Sequence, residues 1–175
     1  LFASFSDDKI AWYENQGGGS FGPQQVITTK AVQALSVYAT DLDGDGDMDV
    51  LSASQNDDKI AWYENQGAGN FGSQKTINQP DTDGDHFNDQ DGNADWPKGV
   101  YATDLDGDGD ADVLSASKGD NKIAWYENQG GGSFGPQLVI TTKADMASSV
   151  YATDLDGDGD ADVLSASAKD DKIAW

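Results

Sequence analysis

The chain contains no cysteine, and its 175 residues include a single histidine, His86. Without cysteine it has neither disulfides nor thiolate metal ligands, so cysteine usage does not identify a redox compartment. One histidine also gives little basis for a Ser-His-Asp or Cys-His catalytic set. The glycine runs 17–19 and 130–132 lack the Lys-[Ser/Thr] that completes a phosphate-binding loop. We therefore expect a protein that is not an enzyme, although a carboxylate pair acting on a glycoside stays open.

Basic residues are also scarce, since 10 Lys and Arg stand against 32 Asp and Glu and give a net charge of −22 at pH 7. An anionic surface without a basic patch argues against nucleic acid or anionic membranes as partners. The sequence shows no signal peptide and no transmembrane segment, and we expect no membrane insertion. Leu1 aligns with Leu51, in the middle of a repeated unit, so the gene product can begin further upstream.

Aspartate, in contrast, is abundant, and much of it lies in a nine-residue pattern, Asp-Leu-Asp-Gly-Asp-Gly-Asp-[Met/Ala]-Asp. The three copies occupy residues 41–49, 104–112 and 154–162. Alternate carboxylates can converge on one point, and Ca²⁺ takes about six to eight oxygen ligands. Glycine at position 6 tolerates the positive φ that lets the carbonyl of position 7 and the carboxylate of position 9 close the coordination shell. The pattern therefore predicts a calcium site in each loop.

The predicted ligands take positions 1, 3, 5, 7 and 9 of each loop, position 7 through its main-chain carbonyl. They are Asp41, Asp43, Asp45, Asp47 and Asp49 in the first loop, Asp104, Asp106, Asp108, Asp110 and Asp112 in the second, and Asp154, Asp156, Asp158, Asp160 and Asp162 in the third. The alternative is a merely solvated acidic turn. Five aspartates within nine residues would then repel one another without a cation, so we favour metal.

The same spacing opens an EF-hand loop, but an EF-hand needs a glutamate at position 12 and a helix on either side. Position 12 is serine in all three copies, namely Ser52, Ser115 and Ser165. The flanking segments 37–40 and 50–54 are rich in β-formers or small residues, so each loop is predicted to join two strands.

The repeat extends beyond the loop. Residues 57–67 align with 7–17, with 120–130 and with the shorter 170–175, which gives a 50-residue unit with 13 residues inserted once. A period of this size indicates a solenoid, a propeller or an array, in which each unit buries its faces against its neighbours.

Within one unit, alternating hydrophobicity predicts four short strands separated by turn sequences. The strands are expected at 37–40, 49–54, 59–64 and 74–77. We find no helical segment. A propeller blade typically consists of four antiparallel strands, and about 45–50 residues are enough to form one. The predicted fold class is therefore an all-β propeller of four-stranded antiparallel blades.

The block V-Y-A-T-D-L-D-G-D-G-D-x-D-V-L-S-A-S, followed by K-I-A-W-Y-E-N-Q-G-x-G-x-F-G, resembles the FG-GAP or VCBS type of β-propeller repeat, which includes the calcium-bearing blades of integrin α-subunits. The resemblance covers almost the whole chain. It implies Ca²⁺ in the hairpin loop between the first two strands of a blade. The repeat alignment itself predicts one repeat domain, with a partial blade 1–35, blades 36–98 and 99–148, and a partial blade 149–175.

An acidic insertion at 81–95 interrupts the second repeat and resembles the aspartate-rich calcium repeats of thrombospondin. Its candidate ligands at positions 1, 3, 5 and 9 are Asp81, Asp83, Asp85 and Asp89. His86 replaces the glycine at position 6, which makes the turn harder. A fourth Ca²⁺ or a flexible acidic loop are both compatible with this segment, and His86 is expected to be a surface residue.

Tryptophan recurs once per repeat in K-I-A-W-Y-E, at Trp12, Trp62, Trp125 and Trp175. Aromatic faces can stack on sugars, but a large ring on the same strand face as the preceding isoleucine also suits packing between blades, which we favour. Trp96 in the insertion shows no counterpart in the repeat and is the better candidate for a contact residue.

These features predict an extracellular or cell-surface calcium-binding module with a structural or adhesive role, since loops without a twelfth-position glutamate should bind weakly and fill only outside the cell. The alternatives are a lectin-like propeller, a non-catalytic domain of a secreted enzyme, and a subunit of an extracellular filament. The expected partners are calcium, other copies or further blades of the same protein, and glycans or surface proteins.

Overall fold

The computed structural model describes residues 1–78 and 94–175, and these ranges form four antiparallel sheets without a helix. The strands are β1 (Phe2–Ser4), β2 (Lys9–Gly17), β3 (Ser20–Thr28), β4 (Ala34–Thr40), β5 (Asp49–Ser54), β6 (Lys59–Tyr63), β7 (Lys75–Thr76), β8 (Pro97–Thr103), β9 (Asp112–Ser117), β10 (Lys122–Tyr126), β11 (Leu138–Thr141), β12 (Ala147–Thr153), β13 (Asp162–Ser167) and β14 (Lys172–Ala174). The predicted all-β class is confirmed.

Each sheet is a meander in which consecutive strands pair, as in a propeller blade. We call the sheets blade 1 (β1–β3), blade 2 (β4–β7), blade 3 (β8–β11) and blade 4 (β12–β14). Blades 2 and 3 have four strands, in the order β4-β5-β6-β7 and β8-β9-β10-β11. The four strands predicted per repeat are therefore found, although the first begins at Ala34 and the fourth is only Lys75–Thr76 in blade 2.

The hydrophobic core lies between blades rather than inside them. One buried cluster joins Leu51, Ile60 and Trp62 of blade 2 to Val113 and Tyr126 of blade 3. Two similar clusters connect blade 1 with blade 2 and blade 3 with blade 4. The middle strands β5 and β9 are buried at every residue, because a neighbouring blade covers each face. No blade could bury these faces by itself, as expected for a repeat protein.

The first strands of successive blades lie side by side and carry a stack of tyrosines. The ring centroids of Tyr38 and Tyr101 are 4.9 Å apart, and those of Tyr101 and Tyr151 are 4.6 Å apart, with the rings tilted in both pairs. Aromatic rings at these separations attract one another beyond simple area burial. The stack links blades 2, 3 and 4 along their first strands.

The repeated tryptophan packs against the next blade, in agreement with the favoured interpretation. Trp62 is buried and belongs to the core between blades 2 and 3, where its ring lies against Gly132 in the loop after β10. Trp12 of blade 1 lies against Gly69 of blade 2 in the same way. Trp175 differs, since 77% of its surface is exposed.

A hydrogen bond from the start of each blade to a turn of the preceding blade recurs at all three junctions. The N–H groups of Gln33, Trp96 and Met146 donate to side-chain oxygens of Asp8, Asp58 and Asn121, over 2.9, 2.8 and 2.7 Å. These three donors share a left-handed backbone, with φ of 56°, 50° and 59°. The expectation that Trp96 has no counterpart in the repeat is therefore wrong. The inserted residues precede it and obscure the alignment in the sequence.

Candidate metal centres

The three aspartate loops occupy the same place in their blades, between the first and the second strand. The strand register closes each loop with a Thr–Asp pair, which is Thr40–Asp49 in blade 2, Thr103–Asp112 in blade 3 and Thr153–Asp162 in blade 4. The predicted hairpin position is confirmed, and it places position 9 on a strand while positions 1 to 8 project from the sheet.

The carboxylate at position 1 organises the loop backbone. In the first loop, Asp41 accepts hydrogen bonds from the N–H groups of Gly44 and Gly46, at 2.8 and 2.9 Å. Both glycines have positive φ, 79° and 94°, a conformation that side-chain-bearing residues rarely adopt. The glycine at position 6 was predicted to turn the chain in this way. Position 4 also needs a residue that tolerates positive φ. This need was not predicted from the sequence, although glycine occupies position 4 in all three copies.

Positions 3 and 5 each bond the N–H two residues further on. Asp43 accepts from Asp45 at 3.3 Å, and Asp45 accepts from Asp47 at 2.8 Å. The second and third loops repeat all four bonds. In the second loop the two bonds to position 1 measure 2.7 and 3.0 Å, and those to positions 3 and 5 measure 3.2 and 2.9 Å. In the third loop the corresponding distances are 2.6, 3.1, 3.1 and 2.9 Å. The same sequence thus gives the same loop three times.

These bonds bring carboxylate oxygens together. In each of three groups, one oxygen from every member lies within 4.8 Å of the others. The groups are Asp41, Asp43 and Asp45, then Asp104, Asp106 and Asp108, and finally Asp154, Asp156 and Asp162. An all-oxygen donor set of this charge suits a hard cation such as Ca²⁺. The chemistry of the donor set therefore fits the ion that the repeat pattern implies.

Position 9 is anchored most firmly. Asp49 is fully buried, and its two oxygens accept hydrogen bonds from the N–H groups of Leu42 and Asn65, at 2.9 and 2.8 Å. Burial raises the pKa of Asp49 above its usual value, and the charges of Asp43 and Asp45 add to the shift, while the two hydrogen bonds oppose it. Asp112 is buried with the same two kinds of partner, and burial likewise raises its pKa. A divalent cation beside these carboxylates would offset both the cost of burying their charge and the repulsion from the neighbouring aspartates.

The remaining predicted ligands are less buried. Asp162 is partly exposed, and the aspartates at position 7 are exposed in the first and third loops and partly buried in the second. The candidate ligands of the acidic insertion, Asp81, Asp83, Asp85 and Asp89, lie outside the described residues, as does His86.

Two repeat positions matter to these loops and were not singled out in the sequence. Leu at position 2 donates its N–H to the position 9 carboxylate in every loop. The asparagine of the N-Q-G segment, Asn65 or Asn128, donates its main-chain N–H to the same carboxylate. Both residues recur at the repeat period, and this recurrence is the sequence signal that could have identified them.

Among solved structures, the chain is similar to a lectin of Agrocybe aegerita that recognises non-reducing terminal N-acetylglucosamine, with a TM-score of 0.57 and 23% sequence identity. The match covers 89% of this chain and 40% of the lectin chain, so the chain spans two fifths of that protein. At this identity the likeness shows the fold alone. No curated protein sequence matches the chain. No helix in the described ranges is long and apolar enough to cross a membrane.

A family model for the FG-GAP-like repeat matches residues 1–52, 41–115 and 104–165. Consecutive matches overlap at the aspartate loops, and together they extend over most of the chain. The loops, the blades and the repeat period described above are thus accounted for by one kind of unit, and the chain belongs to the FG-GAP-like repeat family.

Proposed function

We propose that this protein is an extracellular calcium-binding β-propeller module with a structural or adhesive role. The observation that carries the proposal is the threefold recurrence of one loop geometry that gathers carboxylate oxygens at the same edge of blades 2, 3 and 4. The family match and the all-β blades support it. Positions 1, 3, 5 and 9 of each loop would hold the ion through carboxylates, and position 7 through its carbonyl.

Bound calcium would supply the cross-link that cysteine cannot. It would join the projecting part of each loop to the position 9 aspartate, which lies on the second strand of the blade. Loops of this kind without a bidentate glutamate are expected to bind with a Kd of about 10⁻⁴ to 10⁻³ M, the range of extracellular modules. Such sites are filled at extracellular calcium concentrations and largely empty in the cytosol, which supports an extracellular or cell-surface location.

The test compares two aspartates of the second loop. Asp108→Ala removes the position 5 carboxylate, so we expect calorimetry to show one bound Ca²⁺ fewer than in the unaltered chain. Asp110→Ala is the matched control, because position 7 is expected to coordinate through its carbonyl, and it should retain the full number of ions. Equal loss of binding in both variants would contradict the ligand assignment, and no calcium binding by the unaltered chain would refute the proposed function.

Carbohydrate binding is a second candidate, favoured by a cavity of 290 Å³ between blades 1 and 2. Its walls include Trp12, Tyr13, Met48, Asn65 and Phe71, which combine aromatic faces with an amide. Aromatic faces and a few polar groups are what sugar rings require of a site. The Agrocybe aegerita lectin adds support, since it shares the fold.

A glycan array tests this candidate. We expect binding to glycans with terminal N-acetylglucosamine, and a loss of about tenfold or more in affinity for Tyr13→Ala, a change worth about 1.4 kcal/mol. Tyr151→Ala is the control, because Tyr151 is also about half exposed but lies in blade 4, away from the cavity. Absence of glycan binding, or equal losses in the two variants, would exclude the cavity as the sugar site.

A further inference from the structure

A chain of hydrogen bonds connects the first and second aspartate loops across the interface of blades 2 and 3. The Leu42 N–H donates to Asp49 Oδ2 at 2.9 Å, and the Leu42 carbonyl accepts from Asn128 Nδ2 at 2.8 Å. The Asn128 main-chain N–H then donates to Asp112 Oδ1 at 2.8 Å. Two position 9 carboxylates, one from each loop, are thereby linked through two intervening residues.

All members of this link are buried. The exposed fraction is 0% for Asp49 and Asp112, 1% for Asn128 and 2% for Leu42. Hydrogen bonds shielded from water are costly to lose, because a buried donor or acceptor left without a partner has no solvent to replace it. The link is therefore expected to act as a unit, either formed or broken.

Leu42 also belongs to the hydrophobic core between the two blades. Its side chain lies in the same buried cluster as Trp62 of blade 2 and Val113 and Tyr126 of blade 3. A residue of the first loop is thus a structural part of the interface. Ordering that loop and docking blade 3 onto blade 2 require the same position of Leu42.

We propose that calcium binding at the first loop and at the second loop is positively coupled, with Asn128 as the positioning residue that connects them. The inference rests on the proposed calcium-binding function. An ion in the first loop fixes Asp49 and with it the main chain of Leu42, whose carbonyl then holds Asn128 against Asp112. The second loop consequently binds its ion with part of the ordering cost already met, and by linkage the effect is reciprocal.

The repeat contains a matched control for Asn128. Asn65 and Asn128 both donate the main-chain N–H to the position 9 aspartate of their own blade, both donate Nδ2 to residue 8 of that loop at 3.1 Å, and both accept from a glycine N–H at 3.2 Å. Asn128 adds the bond to Leu42 of the neighbouring blade. Within the described ranges, the hydrogen bonds of Asn65 stay in blade 2.

The third loop supplies a second control. Leu105 of the second loop donates to Asp112 at 2.9 Å, as Leu42 does to Asp49, and its side chain is partly buried. In the ranges that the structure describes, no asparagine bonds its carbonyl. The second and third loops therefore lie on adjacent blades without the link. Repulsion between ions on adjacent blades acts in both pairs. The third loop also differs in the greater exposure of Asp162, so the test rests on positive cooperativity within the linked pair and on its loss in Asn128→Ala.

The experiment measures Ca²⁺ binding by calorimetry in two variants of the 175-residue chain that each keep two loops. Asp156→Ala with Asp158→Ala leaves the linked pair, whereas Asp43→Ala with Asp45→Ala leaves the unlinked pair. We expect the linked pair to bind its second ion about fivefold or more tightly than its first, the lower end of typical coupling between sites. The unlinked pair should show independent or weakened binding of the second ion.

Adding Asn128→Ala to the linked pair should abolish the cooperativity, whereas adding Asn65→Ala should leave it in place. Independent binding in the linked pair, or equal cooperativity in both pairs, would overturn the inference. Independent binding in the linked pair contradicts the inference without any change at Asn128, so the test stays decisive even where Asn128→Ala does not fold. Failure of every variant and of the unaltered chain to bind calcium would instead refute the proposed function, and the two failures are thus distinguishable.

Discussion

Chelation of calcium is expected to lower the melting temperature of this chain by about 10 °C. With a Kd near 10⁻⁴ M per loop, 1 mM Ca²⁺ contributes roughly 1.4 kcal/mol per site, or about 4 kcal/mol over three sites. A folded domain has only about 5–15 kcal/mol of stability, so this share is large. For a chain of this size, 1 kcal/mol corresponds to about 2–4 °C in melting temperature.

The structural reason lies in the buried position 9 carboxylates. Asp49 and Asp112 are fully buried on the second strands of blades 2 and 3, and this burial disfavours their charged form and raises the pKa of each. A cation at the loop stabilises the charged form and relieves repulsion among the neighbouring aspartates. Its removal therefore destabilises the strand as well as the projecting loop.

The measurement is thermal unfolding followed by circular dichroism in calcium, in EDTA, and in EDTA with calcium restored in excess. Ionic strength must be matched across the three, because a chain with a net charge of −22 responds to screening alone. Magnesium at the same concentration is a further control, since Mg²⁺ requires a smaller, octahedral site and sheds water reluctantly. Identical melting curves with and without calcium would rule out the stabilising role.

The sequence predicted the blades and the loops because both depend on local patterns. Alternating hydrophobicity and turn residues locate strands such as Asp49–Ser54, and the backbone of the 41–49 loop is set by its own aspartates and glycines. Each is repeated, so a chance pattern is improbable. Periodicity also identified Trp62 as an interface residue, since its strand neighbour Ile60 is apolar on the same face.

Contacts between blades were not predictable in the same way. The bond from Asn128 to the carbonyl of Leu42 joins residues 86 positions apart, and its donor resembles any polar residue of a turn. Whether such an asparagine reaches the preceding blade depends on how closely two sheets approach, which no local pattern specifies. The role of Trp96 was missed for a related reason, because the insertion before it conceals its alignment with Gln33 and Met146.

The interfaces therefore depend on small residues at particular places as much as on apolar ones. Gly132 of blade 3 lies against the Trp62 ring, and a Cβ built on it would overlap ring atoms. The Lys75 ammonium lies 4.1 Å from the centre of the same ring and is held by Glu64 at 2.7 Å. A ring with contacts of this kind has limited freedom to move away from an added methyl group.

Gly132→Ala is accordingly expected to destabilise the fold by about 2–5 kcal/mol. Of this, about 1–2 kcal/mol comes from placing a side chain at a positive φ, here 69°, and about 1–3 kcal/mol from overpacking against Trp62. The repeat offers a matched control in Gly19 of blade 1, which has a φ of 80° and no neighbouring atom within 4 Å of an added Cβ. Gly19→Ala should therefore show only the backbone cost, about 1–2 kcal/mol.

Urea unfolding in saturating calcium measures both variants against the unaltered chain, and a double-mutant cycle with Trp62→Ala assigns the cause. If the overlap with the ring accounts for the excess, the cost of Gly132→Ala in the Trp62→Ala background should fall to that of Gly19→Ala. If Gly132→Ala and Gly19→Ala lower the free energy of unfolding equally in the unaltered background, the Trp62 ring moves aside easily to accommodate the added methyl group. In that case the tryptophan would fill space between the blades without fixing their separation.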